Sequence, residues 1–216
     1  MKDRSDTEVI AKTKGRPREF DTEVALDAAL RVFWDRGYEG TSLPDLTQAM
    51  GINRPSLYAA FGNKETLFRT VVDRYAKQAC GIMSAALAAP RARDAIAQLL
   101  AMAVGCAKSD AARGCILVQG ALVCGDEATA IKRDLTQMRN ATESAVKTRL
   151  ERALAEGDLK RGTNVAALAK FVATFQHGIS VQSAGGTPRA ALQGAVEIAM
   201  LAIDACCTAP SARRRK

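Results

Sequence analysis

Apolar positions along this chain recur at helical spacing and almost nowhere alternate. Leu26, Leu30 and Phe33 stand at i, i+4 and i+7, which places one stripe on a helix. Asp21 precedes that stripe as a cap, and Gly37 is expected to close it as a left-handed C-cap. Thr41-Ser42 opens a second helix, with Pro44 tolerated in its first turn and Leu43, Leu46 and Met50 on one face. Gly51 breaks the chain sharply. Arg54-Pro55-Ser56 begins a short third helix that ends near Phe61-Gly62. Asn63 caps a fourth, which opens with Lys64-Glu65 and runs into the 80s.

Longer helices follow, with weaker boundaries. One is expected from Pro90 to near Lys108, one over 114–125, and one from 127 to Glu156. Two more are expected over 164–184, stopped by Gly185-Gly186, and from Thr187-Pro188 to near Cys207. The pattern predicts an all-α protein of about nine helices. Composition agrees. Ala, the best helix former, dominates an apolar content of 48%, and aromatics are only 5%.

Charge is less informative than its placement. The formal net charge is +8, yet the segment 21–75 is acidic. Its bases are Arg31, Arg36, Arg54, Lys64, Arg69 and Arg74, against Asp21, Glu23, Asp27, Asp35, Glu39, Asp45, Glu65 and Asp73. Basic clusters stand at the ends: Lys12, Lys14, Arg16 and Arg18 on a polar arm, and Arg213, Arg214, Arg215 and Lys216 on a tail. The division expected is a flexible basic arm over 1–20, a helix-turn-helix unit over 21–75, a body over 76–208 and a basic tail over 209–216.

Residues 42–61 carry the candidate function. Two short helices joined at Met50-Gly51-Ile52-Asn53, with Leu46, Met50, Ile52 and Leu57 between them, form a helix-turn-helix. The second helix offers Arg54, Ser56 and Tyr58 from its N-terminal part, where a recognition helix meets bases and phosphates. The competing role for Tyr58 is a half-buried core residue. Backbone amides after Thr41-Ser42, and again at Asn63-Lys64, suit phosphates at helix N-termini. Within the arm, Lys14-Gly15-Arg16-Pro17-Arg18 resembles an AT-hook core that could enter a narrow minor groove through Arg16. A plain polybasic tail would instead attract DNA without selection.

Three stretches match one family in order. They are Gly37-Tyr38-Glu39-Gly40-Thr41-Ser42, Met50-Gly51-Ile52-Asn53-Arg54-Pro55-Ser56-Leu57-Tyr58, and Phe61-Gly62-Asn63-Lys64-Glu65-Thr66-Leu67-Phe68. Together they resemble the N-terminal domain of TetR/AcrR-family regulators. Thr47 departs from the pattern, since the family usually has Ala there. The resemblance puts Arg54, Pro55, Ser56 and Tyr58 on DNA-facing positions and Thr41 and Lys64 on phosphate-facing ones, with Ser42 and Asn53 at the adjoining helix starts.

The stretch Arg113 to Leu122 resembles one subgroup of that family's C-terminal domains. The resemblance implies a homodimer through the helices near 164–184 and 188–207, whose Ala166, Ala167, Ala169, Ala173, Gly178, Ala195, Ala199 and Ala202 permit close contact. It also implies a palindromic double-stranded operator and a small-molecule effector. Met83, Met102, Val118, Leu122, Met138 and Phe175 are candidate walls of the effector cavity, with Gln119, Gln176 and His177 as polar markers. Ordinary core packing is the competing reading for each. The function implied is an inducible repressor, although the fold does not set the sign of regulation.

A rival is a redox- or electrophile-sensing repressor acting through Cys115 or Cys106. Six cysteines, at 80, 106, 115, 124, 206 and 207, include no CxxC pair, so no metal site is expected. No nucleophile elbow, phosphate loop, zinc-protease or dinucleotide motif occurs, so neither catalytic residues nor a cofactor are expected. An architectural DNA binder without sequence preference is a further alternative. The polar opening and the lack of a long apolar run predict a cytoplasmic protein without membrane contact.

Overall fold

A computed structural model describes residues 20–105, 114–122 and 128–209, the side chains of 121 and 122 excepted. Among the described residues nine helices and no strand occur, the all-α architecture that the apolar spacing predicts. They are α1 (Thr22–Arg36), α2 (Leu43–Met50), α3 (Arg54–Phe61), α4 (Lys64–Leu87), α5 (Ala92–Gly105), α6 (Ile116–Leu122), α7 (Thr129–Ala155), α8 (Val165–Ala184) and α9 (Arg189–Cys206). No helix among them is long and apolar enough to cross a membrane.

The first four helices begin on local side-chain caps. The Asp21 carboxylate accepts from the Glu23 and Val24 amides. Ser42 and Asp45 form a reciprocal capping box on α2, and Asn53 and Asn63 accept from the amides of Ser56 and Thr66. Gly51 ends α2 in the left-handed region at φ 66° and ψ 27°, as the turn requires. Gly37 differs from expectation. Its φ is 70° but its ψ is 177°, outside the left-handed region, although its amide still donates to the Phe33 carbonyl at 2.9 Å.

Two cores result. The first joins Leu26, Ala29 and Phe33 of α1 to Leu46, Leu57, Leu67 and Phe68, and continues into Ile116 and Leu117 of α6 and Ile131 and Leu135 of α7. The second collects Ile96, Leu99 and Leu100 of α5 with Val146, Leu150, Val172 and Ile203. α4 reaches both, with Phe68 and Val72 in the first and Met83 and Leu87 against the second.

Beyond α4, α8 is capped locally by Asn164, but other helix ends are held by partners distant in sequence. α7 and α9 begin without a side-chain cap. Asp158 accepts from the Ala92 amide at the start of α5 and pairs with Arg91 at 3.0 Å. The buried Arg149 donates to the carbonyls of Leu87 and Ala89, each at 2.9 Å, and of Pro90 at 3.1 Å, closing the end of α4. The expected helix over 114–125 is described only as Ile116–Leu122, and residues 106–108 of the one before it lie outside the described residues.

Candidate nucleic-acid interface

α3 is pinned from beneath and open above. Leu57 is fully buried and Phe61 nearly so, locked against α1, α2 and α4. Such burial contributes about 1.5–3 kcal/mol per large apolar side chain. On the opposite face Arg54, Pro55 and Tyr58 are exposed, Tyr58 at 47%. Tyr58 is therefore not a core residue. Ser56 is half-buried. Asn53 spends its carbonyl oxygen as the cap of α3, accepting from the Ser56 amide at 2.9 Å, which leaves its amide nitrogen to act outward. Thr47 sends its hydroxyl back to the Leu43 and Pro44 carbonyls at 3.1 and 3.0 Å, so the departure from Ala is absorbed inside α2.

The two helix starts expected to hold phosphates are close together. Lys64, in the first turn of α4, donates from Nζ to the Thr41 carbonyl at 2.8 Å. Its ammonium also lies 4.5 Å from the centroid of the Tyr38 ring. Burial lowers its pKa, and the nearby Glu39 opposes that shift. Thr41 itself is buried, with its hydroxyl donating to the Gly37 carbonyl at 2.6 Å. Only its backbone borders the surface chemistry.

The start of α2 is less open than helix geometry alone suggests. The Ser42 amide donates to Asp45 Oδ2 at 3.0 Å, the Asp45 amide donates to Ser42 Oγ at 3.3 Å, and Pro44 has no N–H. Leu43 is left as the first-turn amide without an acceptor among the described residues. The Asp45 carboxyl is lowered from 3.8 to about 2, first by the Ser42 hydroxyl, then by the Ser42 amide and Arg36. Arg36 forms an ion pair with it and offsets its charge. Arg16 lies outside the described residues.

Among the described residues, the candidate effector-lining residues divide between the two cores. Met83, Met102 and Phe175 pack on the second core, Met138 packs on the first, and Val118 is buried on α6. Gln119 donates to the Ser180 carbonyl at 3.3 Å. Gln176 and His177 are half-buried on α8, and burial followed by Arg139 holds the His177 imidazole below its ordinary value. Leu122 ends α6, with its side chain outside the description. A groove of about 400 Å³ between α4 and α7 includes only Met138 of this set, and one of about 310 Å³ on α8 and α9 includes only Phe175.

Cys115 is half-buried just before α6, its amide donating to Ser180 Oγ at 2.7 Å, while Cys106 lies outside the described residues. Sequence reasoning did not single out Tyr38, Arg139 or Ser180. The aromatic ring in the Gly37–Ser42 turn was a usable signal for the first. Nothing local marks the others, whose partners lie 22 and 65 residues away.

Comparison with known proteins accords with this geometry. Residues 25–71 match the family model described as bacterial regulatory proteins, tetR family. The HTH-type transcriptional repressor ComR of Escherichia coli (strain K12) is 33% identical over 196 residues, covering 89% of this chain and 92% of that protein. A solved structure of the TetR family transcriptional regulator CifR, a cysteine mutant complexed with a 26-base-pair operator duplex, is 43% identical. It covers 87% of this chain and 99% of its own, with a TM-score of 0.82. A TetR regulator from Chloroflexus aurantiacus shares the fold at a TM-score of 0.77 and 19% identity.

Proposed function

The chain belongs to the TetR family of bacterial regulatory proteins, and from that premise we propose that it is a repressor of transcription, binding a palindromic operator as a homodimer and released by a small-molecule inducer. The observation that carries the reading is the open face of α3, where Arg54, Pro55 and Tyr58 stand on a helix fixed by Leu57 and Phe61. The repressor name of ComR and the operator duplex in the CifR complex support the direction and the partner. Residues 21–75 act as the reading head and 76–208 as the body.

Dimerisation is supported by the outer face of α8 and α9. Phe171, Val181, Ile198 and Leu201 are exposed there, beside the apolar groove at Phe175 and Gly178. A two-fold axis through that face would set the two α3 helices on half-sites about 34 Å apart. Release by an effector needs a path from body to head, and α6 supplies one. Ile116 and Leu117 belong to the head-side core, while Gln119 and the Cys115 amide bond to Ser180 on α8. A ligand acts by binding better to a spacing of the heads that does not fit DNA.

Titration of the chain with candidate ligands, followed by operator-shift and sedimentation measurements, tests both parts. A monomer under all conditions, or a ligand that binds without altering operator affinity, contradicts the reading. The redox alternative is favoured by one observation, the seat of Cys115 where α6 meets α8. A Cys115→Ser variant whose oxidant response matches the wild type would exclude that cysteine.

A further inference from the structure

Lys64 does not stand free at the surface. Its ammonium is held between the Thr41 carbonyl at 2.8 Å and the face of Tyr38 at 4.5 Å. Tyr38 is wedged against Phe68, with ring centroids 5.2 Å apart, and stacks near Phe33 at 6.5 Å. Thr41 ties back to Gly37 through its hydroxyl. Gly40 passes so close to the Arg36 carbonyl that no Cβ fits there. The 37–41 loop is thus a cradle anchored in the head's core, and it grips a charge delivered by the next helix but two.

We infer that Tyr38 is a positioning residue for phosphate binding: its ring fixes the Lys64 ammonium beside the start of α2, so that charge and the open Leu43 amide form one preset clamp. The inference rests on the DNA-binding reading above. An ammonium has three donors, and the Thr41 carbonyl takes one. The ring face engages a second, and the third remains for an anion. A lysine already held in place loses little further side-chain freedom on binding, and preorganisation of that kind raises affinity. Tyr38 itself touches no DNA in this account. A phosphate contact carries no sequence information, so its loss weakens operator and random duplex alike.

The test is a salt series of duplex affinities for the full chain, using a footprinted operator and a random duplex of equal length. Tyr38→Phe keeps the ring and should bind as the wild type does. Tyr38→Leu, or Tyr38→Met should the leucine variant fold poorly, should weaken both duplexes by about 2–5-fold per head. The salt slope should fall by about one per head as the phosphate contact loosens. On a Lys64→Ala background the same Tyr38 changes should have no further effect. Equal losses on both backgrounds would make Tyr38 a packing residue only, and a Phe variant as weak as the Leu variant would place the effect in the hydroxyl rather than the ring; either result overturns the inference. If Lys64→Ala itself leaves affinity and salt slope unchanged, the phosphate role of Lys64 is wrong and the underlying reading fails at that residue.

Discussion

The head and the body of this protein are both helical, yet they are specified over different ranges. In the head, each of α1 to α4 starts on a side chain that caps an amide two or three residues away. Its core is rich in rings, with Phe33 edge-on to Phe68 at 5.0 Å and Trp34 edge-on to Tyr75 at 5.2 Å. In the body the core is aliphatic, and although Asn164 caps α8 locally, the facing ends of α4 and α5 are fastened by groups far away in sequence. Arg149 reaches back about sixty residues to the end of α4, and Arg91 donates to the Thr208 carbonyl 117 residues on. Local rules therefore go far in specifying the small unit, whereas the body leans more on contacts made only once the chain is packed.

The largest expected break in this comparison is at Arg149. Replacing it with Met keeps the bulk but leaves the Leu87, Ala89 and Pro90 carbonyls without their donor. A loss of roughly 2 kcal/mol is expected, since stranding the buried Ala89 acceptor costs about 1–3 kcal/mol and the less buried Leu87 and Pro90 carbonyls add less. The denaturant midpoint measures it. A loss within about 0.5 kcal/mol, the scale of ordinary surface changes, would show that the long-range fastening is dispensable. In the head the corresponding change is smaller. Asn53→Ala removes the cap on α3 and should cost about 1 kcal/mol, read from the same curves. Its operator affinity should fall as α3 frays.

The smallest effect is a dependence on acid. Asp45 has a folded pKa of about 2 against an ordinary 3.8, so the unfolded chain takes up the proton first. The stabilisation is complete above about pH 4 and is lost as the pH falls through the window from about 4 to about 2. Asp45→Asn should flatten that part of the stability profile while leaving the rest. A profile parallel to the wild type across the window would remove the capping box from the account.

The same contrast explains what was legible in the sequence. Asp21, Ser42, Asn63, Gly51 and the stripe Leu26, Leu30, Phe33 read correctly because cause and effect lie within one or two turns. Tyr58 could not be assigned from spacing alone, because an aromatic at that position suits either a core or a groove. Its exposure rules out the core. Lys64 was visible as a charge at a helix start, but the Tyr38 face and the Thr41 carbonyl that hold it depend on how the 37–41 loop folds. The candidate effector-lining residues are apolar positions with three polar markers, spread along the body helices. Spacing on separate helices does not say which face meets which, and the structure distributes them over two cores. The ends of α6 are not marked locally, since its anchors are Ser180 and Arg139 on other helices.

The central claim is that the open face of α3 reads DNA. Footprinting of the DNA flanking the encoding gene, with the wild type and an Arg54→Ala, Tyr58→Ala variant of unchanged helicity, tests it most directly. The account predicts a protected palindrome for the wild type and none for the variant at the same concentration and salt. Equal protection by both proteins would contradict it.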